Sequence, residues 1–188
     1  MIIEDTNFKT QNYSEKLLPK DEYELCVFDN CTFSNSDISN ITFRECEFIS
    51  CDLSLTNIKH TIFNDVKFIN CKLLGLHFND CDDLFMSINF DGCNLELSVF
   101  YKLDLKKTSF KDCKLNSVDF TETNLSNAIF EHCDLKNAIF HQTILKQVDF
   151  RTSFNFSIDP EYNNIKKAKF SKNNLAGLLV KHQLKIDD

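Results

Sequence analysis

Nine cysteines and five histidines are the residues of this 188-residue chain with the most chemistry to offer. Thiolates bind metals and attack electrophiles, and paired C-x-x-C spacings would point to zinc or redox work. No such pair occurs. Six of the cysteines, Cys31, Cys51, Cys71, Cys93, Cys113 and Cys133, recur at intervals of twenty residues, with one interval stretched by two. A ladder with that spacing offers no tetrahedral arrangement, so it predicts reduced thiols in a buried packing role, as do Cys26, Cys46 and Cys81. Met1-Ile2-Ile3-Glu4-Asp5 lacks the basic and apolar segments of a secretion signal, and no run is long enough to span a bilayer; a cytoplasmic location is expected. His60, His77, His132 and His141 are expected to point outward without partners, and a Ser-His-Asp set would need a pocket in which to converge. Three glycines leave no Gly-rich phosphate loop. The expectation is no catalysis, no cofactor and no metal.

The elements that position these residues follow from a period of five. From Phe28 every fifth residue is apolar, through Phe33, Ile38, Phe43, Phe48, Leu53, Ile58, Phe63, Phe68, Leu73 and Phe78. The series resumes two residues out of phase at Phe90 and runs through Leu95, Phe100, Leu105, Phe110, Leu115, Phe120, Leu125, Phe130, Leu135, Phe140 and Leu145 to Phe150. Two positions before each centre sits a smaller inward class drawn from Cys, Ser, Thr, Ala, Val, Ile and Leu. Five matches neither the 3.6 of a helix nor the 2 of a strand, so each pentad must be a short side followed by a corner. Four corners close a square coil. Residues twenty apart then stack: one column reads Phe28, Phe48, Phe68, Phe90, Phe110, Phe130, Phe150. The fold class is all-β, a filled four-sided solenoid about seven coils tall. Backbone hydrogen bonds run from coil to coil, and no interior space is left for a substrate.

The slip in phase locates a bulge. With Cys81 kept inward and Phe85 taking the central position, Asp82, Asp83 and Leu84 bow outward; Phe85 is expected to be buried and the other three exposed. A loop on a regular rod is a natural recognition element. Asp80, Asp82, Asp83 and Leu84 are therefore the candidate partner-binding residues, with Asp65, Asp91 and Glu96 as nearby acids.

Residues 1–25 fit the period poorly. Tyr13, Leu18 and Tyr23 are possible centres, but Pro19 and the Lys20-Asp21-Glu22 run interrupt them, which reads as an N-terminal cap before a repeat domain at 26–152. Residues 153–188 read as a C-terminal cap. Ser171 is placed to cap a short helix whose Leu175, Leu178 and Leu179 share an apolar face, which closes the last coil and could pair two copies of the chain. Leu184-Lys185-Ile186 alternates like a short strand.

The net charge is −7 and unevenly spread. Residues 26–100 hold eleven acids and four bases, while 101–152 hold seven acids and eight bases, with Lys102, Lys106, Lys107, Lys111 and Lys114 clustered. Summed side by side, no one side of the square dominates. The overall charge, and Asp104 and Asp112 within the lysine cluster, argue against direct nucleic-acid binding. Leu55, Gly75 and Leu97 stack at one outward position beside Leu74, and Ile49 and Ile69 at another, as small apolar stripes.

The (Cys/Ser/Thr/Ala)-(Asp/Asn/x)-(Leu/Phe)-x-x pentads over residues 26 to 152 resemble those of the pentapeptide-repeat proteins. The resemblance implies a right-handed quadrilateral β-helix. Ser157-Ile158-Asp159-Pro160-Glu161, followed by Phe170 and a Leu-Leu helix, resembles the family's dimerising C-terminal tail. The quinolone-resistance and microcin-immunity branch implies a DNA mimic that binds gyrase or topoisomerase IV. Some members of that branch carry larger projecting loops, where this chain has only the bulge at Asp82 to Leu84. The alternative is a structural rod with an unrelated partner or none.

Overall fold

A pentad must turn two side chains inward and then bend the chain by a right angle. In the computed structural model, which describes residues 1–185, the bend falls at the last residue of each pentad, in most of them in the left-handed region. Asn30, Asn35, Asn40, Asn70, Asn127 and Asn137 all have φ between 51° and 62°. Asparagine tolerates that region better than most residues, which accounts for its abundance at these corners.

The four sides are designated A to D in chain order. Side A carries the centres Ile3, Tyr23, Phe43 and Phe63; side B Phe8, Phe28, Phe48 and Phe68; side C Tyr13, Phe33, Leu53 and Leu73; side D Leu18, Ile38, Ile58 and Phe78. Successive coils pair in parallel and in register, as in Phe28↔Phe48↔Phe68. Side B forms a seven-stranded sheet, which bridges at Ile129↔Asp149 and Asp149↔Lys169 carry further. Side A forms a four-stranded sheet of Ile2–Glu4, Glu22–Glu24, Thr42–Arg44 and Ile62–Asn64. Sides C and D hold together by single bridges such as Asn94↔Lys114 and Asp119↔Ile139.

The interior is filled by stacked rings. Neighbours in the side B column lie 4.7 to 5.5 Å apart from Phe8 to Phe170. The rings from Phe8 to Phe150 also meet an adjacent side edge-on, as Phe110 does Phe120 at 5.9 Å and 82°. Aromatic pairs of this geometry contribute about 0.5–1.5 kcal/mol each beyond the area they bury. The six-cysteine ladder lies buried beside this column, and all nine thiols are free. Most of these Sγ atoms donate to the carbonyl beneath, as Cys51 does to Phe28 at 3.2 Å, Cys71 to Phe48 at 3.2 Å and Cys93 to Phe68 at 3.3 Å, whereas Cys113 donates to Lys111 of the preceding pentad at 3.1 Å. Thr56, Thr123 and Ser153 make the bond to the carbonyl beneath through Oγ.

Residues 1–25, read from the sequence as a cap, wind as a coil of their own. Ile2–Glu4 pairs with Glu22–Glu24 and Asn7–Lys9 with Val27–Asp29, and Tyr13, Leu18 and Tyr23 are buried. Pro19 sits at an outward position, where a missing amide does no harm, and its carbonyl accepts from the Tyr23 hydroxyl at 2.9 Å. At the other end Lys172–Leu178 and Val180–His182 are 3-10 helices. Ser171 makes no side-chain cap; its carbonyl instead accepts from Asn174 N at 3.1 Å, the tighter closure of that helix type. The Ile158 amide donates to the Gly177 carbonyl at 2.9 Å, and Leu178 packs on the core. Leu184 and Lys185 have no regular structure, and Ile186 lies outside the described residues.

The bulge lies wholly on side A. Cys81 is buried and Asp82 bridges Ile62 below, as the phase slip requires. Phe85, however, is 64% exposed and Met86 packs against the core in its place. With two extra residues the chain overshoots the central position. The Met86 amide closes a turn onto the Asp83 carbonyl at 3.1 Å, which swings the unbranched Met86 inward and Phe85 out. The corner that follows, Ser87, is not left-handed. Above the bulge the ladder is interrupted: Asp104 bridges Asn124 in the next coil and has no bridge to Asp82.

Candidate interaction surface

Outward positions in a pentad are the first neighbours of the centre and the corner. On side A these positions divide the rod in two. Below the bulge they carry Glu4, Asp5, Glu22, Glu24, Glu45 and Asp65 against Arg44 alone. Above it they carry Lys106, Lys107, Lys146, Lys166 and Lys167 against Asp104 alone. Arg44 pairs with Glu22, and Lys106 with Asp104 at 2.6 Å. The other charges of this side take part in no ion pair among the described residues. Summing each side end to end cancels these halves, which is why side-by-side totals from the sequence found no dominant side.

The other sides are neutralised locally. Lys67 meets Glu47 at 3.0 Å, Lys111 meets Asp91 at 3.2 Å and Arg151 meets Asp149 at 2.8 Å, each from the adjoining coil or pentad position. Of the lysines clustered in the sequence, Lys102, Lys111 and Lys114 stand on other sides than Lys106 and Lys107, because each pentad moves on by one side.

The bulge sits between the two halves of side A. Asp82, Asp83 and Leu84 are exposed, Leu84 by 74%. Asp82 Oδ1 accepts from the Leu84 amide at 3.1 Å, which fixes the tip. Asp80 stands at the corner between sides D and A and Asp65 at the A–B corner one coil below. Asp91 lies on side B, paired with Lys111, and Glu96 on side C, where it accepts from Asn94 Nδ2 and Asn116 Nδ2 at 3.1 Å each. Asp80, Asp82, Asp83 and Leu84 thus stand at the bulge, Asp65 one coil below at the far edge of side A, and Asp91 and Glu96 on other sides. Phe85 was missed as a surface residue, since its period assigned it to the core.

Leu175 and Leu179 are 44% and 38% exposed, and Leu178 is taken up by the cap. His60, His77, His132 and His141 are exposed. His132 does have a partner, with Nδ1 3.3 Å from Asp112 Oδ1, and the His141 ring lies against Tyr162. A concavity of about 570 Å³ opens beside the terminal segment and is lined by Lys136, Asn155, Phe156, Ser157, Asn174 and Val180 among others; no histidine, cysteine or carboxylate lines it. Burial pushes the Cys46 thiol up to about 12, and raises Cys81 too, with the Asp80 and Asp82 carboxylates adding to the effect. Among the described residues no helix is long and apolar enough to cross a membrane.

The family profile described as the pentapeptide repeat region matches residues 22–82 and 84–154, the break falling in the bulge. No curated protein matches the sequence. Among solved structures, full-length QnrB1, a plasmid-mediated fluoroquinolone resistance protein, is similar at 17% identity over 98% of this chain and 100% of its own, with a TM-score of 0.46. HetL, a pentapeptide repeat protein involved in heterocyst differentiation regulation from the cyanobacterium Nostoc sp. strain PCC 7120, is similar at 11% identity over 90% of this chain and 84% of its own, with a TM-score of 0.39.

Proposed function

The chain belongs to the pentapeptide repeat family, and on that premise we propose that it works as a non-enzymatic protein-interaction rod whose contact surface is side A. The observation that carries this reading is the exposure of Leu84 and Phe85, 74% and 64%, at the middle of a rod whose interior centres are buried. Two adjacent large apolar side chains held in water cost free energy that a partner's surface would recover, and central apolar anchors with a charged surround are the usual anatomy of a protein contact. Asp82, Asp83, Asp80 and Asp65 flank them.

A cytoplasmic type II topoisomerase, gyrase or topoisomerase IV, is the partner to test first. Its DNA-binding surface must be basic, and the carboxylates of the lower half of side A would address it as local DNA mimicry. A supercoiling assay with the purified protein decides this: inhibition of gyrase, or relief of its inhibition by ciprofloxacin, supports the topoisomerase, and the absence of both removes it. Leu84→Ser with Phe85→Ser tests the surface itself, since a partner retained by that variant does not use side A. Leu175 and Leu179, exposed at the rod's end, offer a rival pairing contact; if they alone join two copies, a chain truncated after Phe170 runs as a monomer.

A further inference from the structure

The halves of side A are complementary to each other, and this property names a partner of specific chemistry. We propose that side A binds a second copy of this chain, antiparallel and face to face, about a two-fold axis through the bulge. The inference rests on side A being the contact surface and identifies what occupies it.

The geometry leaves little choice of arrangement. A two-fold axis lying in the contact plane and crossing the rod at the bulge inverts the rod direction, and it keeps each outward column opposite its own column. The corner column then sets Asp65 against Lys107 and Asp5 against Lys167 of the second copy. The neighbouring column sets Glu4 against Lys166 and Glu24 against Lys146, while Arg44 meets Ser126 and Asn64 meets Lys106. In these two columns no like charges oppose. A parallel pair would instead set the acidic half on the acidic half and the basic half on the basic half. Bulk position agrees: the bulge lies one coil above Asp65 and one coil below Lys107, so Leu84 and Phe85 meet their own symmetry mates at the centre, and their contact must outweigh the approach of Asp82 and Asp83 to their own mates. A shallow depression lined by Lys146, Gln147, Lys166 and Lys167 lies at the end of the basic half, where the carboxylates of the second copy would arrive. Exposed ion pairs are individually weak, so the central apolar pair supplies affinity and the charge columns fix direction.

The experiment is a complementation by mixing. One variant carries Asp5→Lys and Asp65→Lys, the other Lys107→Asp and Lys167→Asp. All four sites are exposed corners of like backbone conformation, so both variants should fold. Sedimentation equilibrium in dilute salt should show the wild type as a dimer, each variant alone dissociating at least about tenfold more readily, and the equimolar mixture restored, because the opposite columns now match only between unlike chains. A wild type that stays monomeric overturns the proposal, as does a dimer that both variants retain and truncation after Phe170 abolishes, which would assign pairing to the rod's end. Capture of gyrase is measured on the same proteins. If pairing fails while Leu84→Ser with Phe85→Ser still abolishes capture, only the identity of the occupant is wrong. If that double serine variant changes neither, side A is not the contact surface.

Discussion

Phe68 and Phe90 stack face to face, with ring centroids 5.5 Å apart and planes within 12°, although two more residues separate them than separate Phe48 from Phe68. The core therefore does not register the slip. It is confined to side A, where Asp83, Leu84 and Phe85 leave the prism and the upward ladder is lost.

Removing Asp83 and Leu84 should restore the phase. Cys81-Asp82-Phe85-Met86-Ser87 is then a regular pentad, with Phe85 stacked over Phe63 and Asp82 free to bridge Asp104. Burying one phenylalanine is worth about 1.5–3 kcal/mol, but Met86 gives up its half-buried place, so the deletion should stabilise the chain by less than that. Urea denaturation measures it. A destabilised product would mean that the turn at Asp83 to Met86 contributes more than the ladder it interrupts.

The B–C column of corners offers little room at one point. Gly92 has a φ of +65°, and a Cβ added there would collide with Asn70 Oδ1 in the coil below. Gly92→Val should cost about 1–2 kcal/mol from backbone strain alone, with the clash adding to it. Asn70→Ala should cancel the clash and leave the strain. A double-mutant cycle read by thermal unfolding separates the two, and additive effects would show that no contact exists.

The thiols should be inert. With Cys46 pushed up to about 12 and all nine side chains buried, an aromatic disulfide reagent should label none in the native state and all nine in guanidinium. Cys71→Ser should cost less than about 1.5 kcal/mol, because serine can make the bond to the Phe48 carbonyl that Ser153 makes to Phe130 at 2.8 Å. Cys71→Leu should cost about 1–3 kcal/mol by overpacking the ladder. Chemical denaturation of the two variants ranks them.

Acid should weaken the first coils. Burial works against the Asp37 carboxylate, but hydrogen bonds from Lys20 and Ser39 outweigh it and hold its pKa at about 2, below the ordinary 3.8. A depressed carboxylate stabilises the fold at pH above its unfolded value. That contribution is fully present above about pH 4 and is lost as the pH falls toward 2. Asp37→Asn should flatten this part of the curve and leave the neutral region lower and level. Urea midpoints between pH 2 and 5 test it, and a variant with the wild-type slope would show that other carboxylates dominate.

The columns were legible because a filled prism punishes any polar residue at a centre, and twenty-residue stacking repeats the same demand on every coil. Tyr13, Leu18 and Tyr23 met that demand too, yet Pro19 and Lys20 obscured it, since both occupy outward positions where the coil tolerates them. Phe85 could not be placed by period. Which of two adjacent apolar residues turns inward at an insertion depends on the turn that Asp83 and Met86 close, and hydrophobicity does not encode that choice. Ser171 resembled a cap in composition, but a 3-10 helix satisfies its first amides over a shorter reach. The polarity of side A was present in the sequence and invisible to a sum along it, because Glu24 and Lys146 cancel in a total while standing far apart in space.

A rod tied along three edges and cut on the fourth does not bend equally in all directions. Side B is an uninterrupted backbone spine from Asn7 to Lys169, while side A has its break between Asp82 and Asp104. Flexure will therefore concentrate at mid-height and open toward the break, as a book opens away from its binding. Whatever docks across side A splints that seam, and whatever pries it apart divides the molecule into a lower and an upper block that part at one known level.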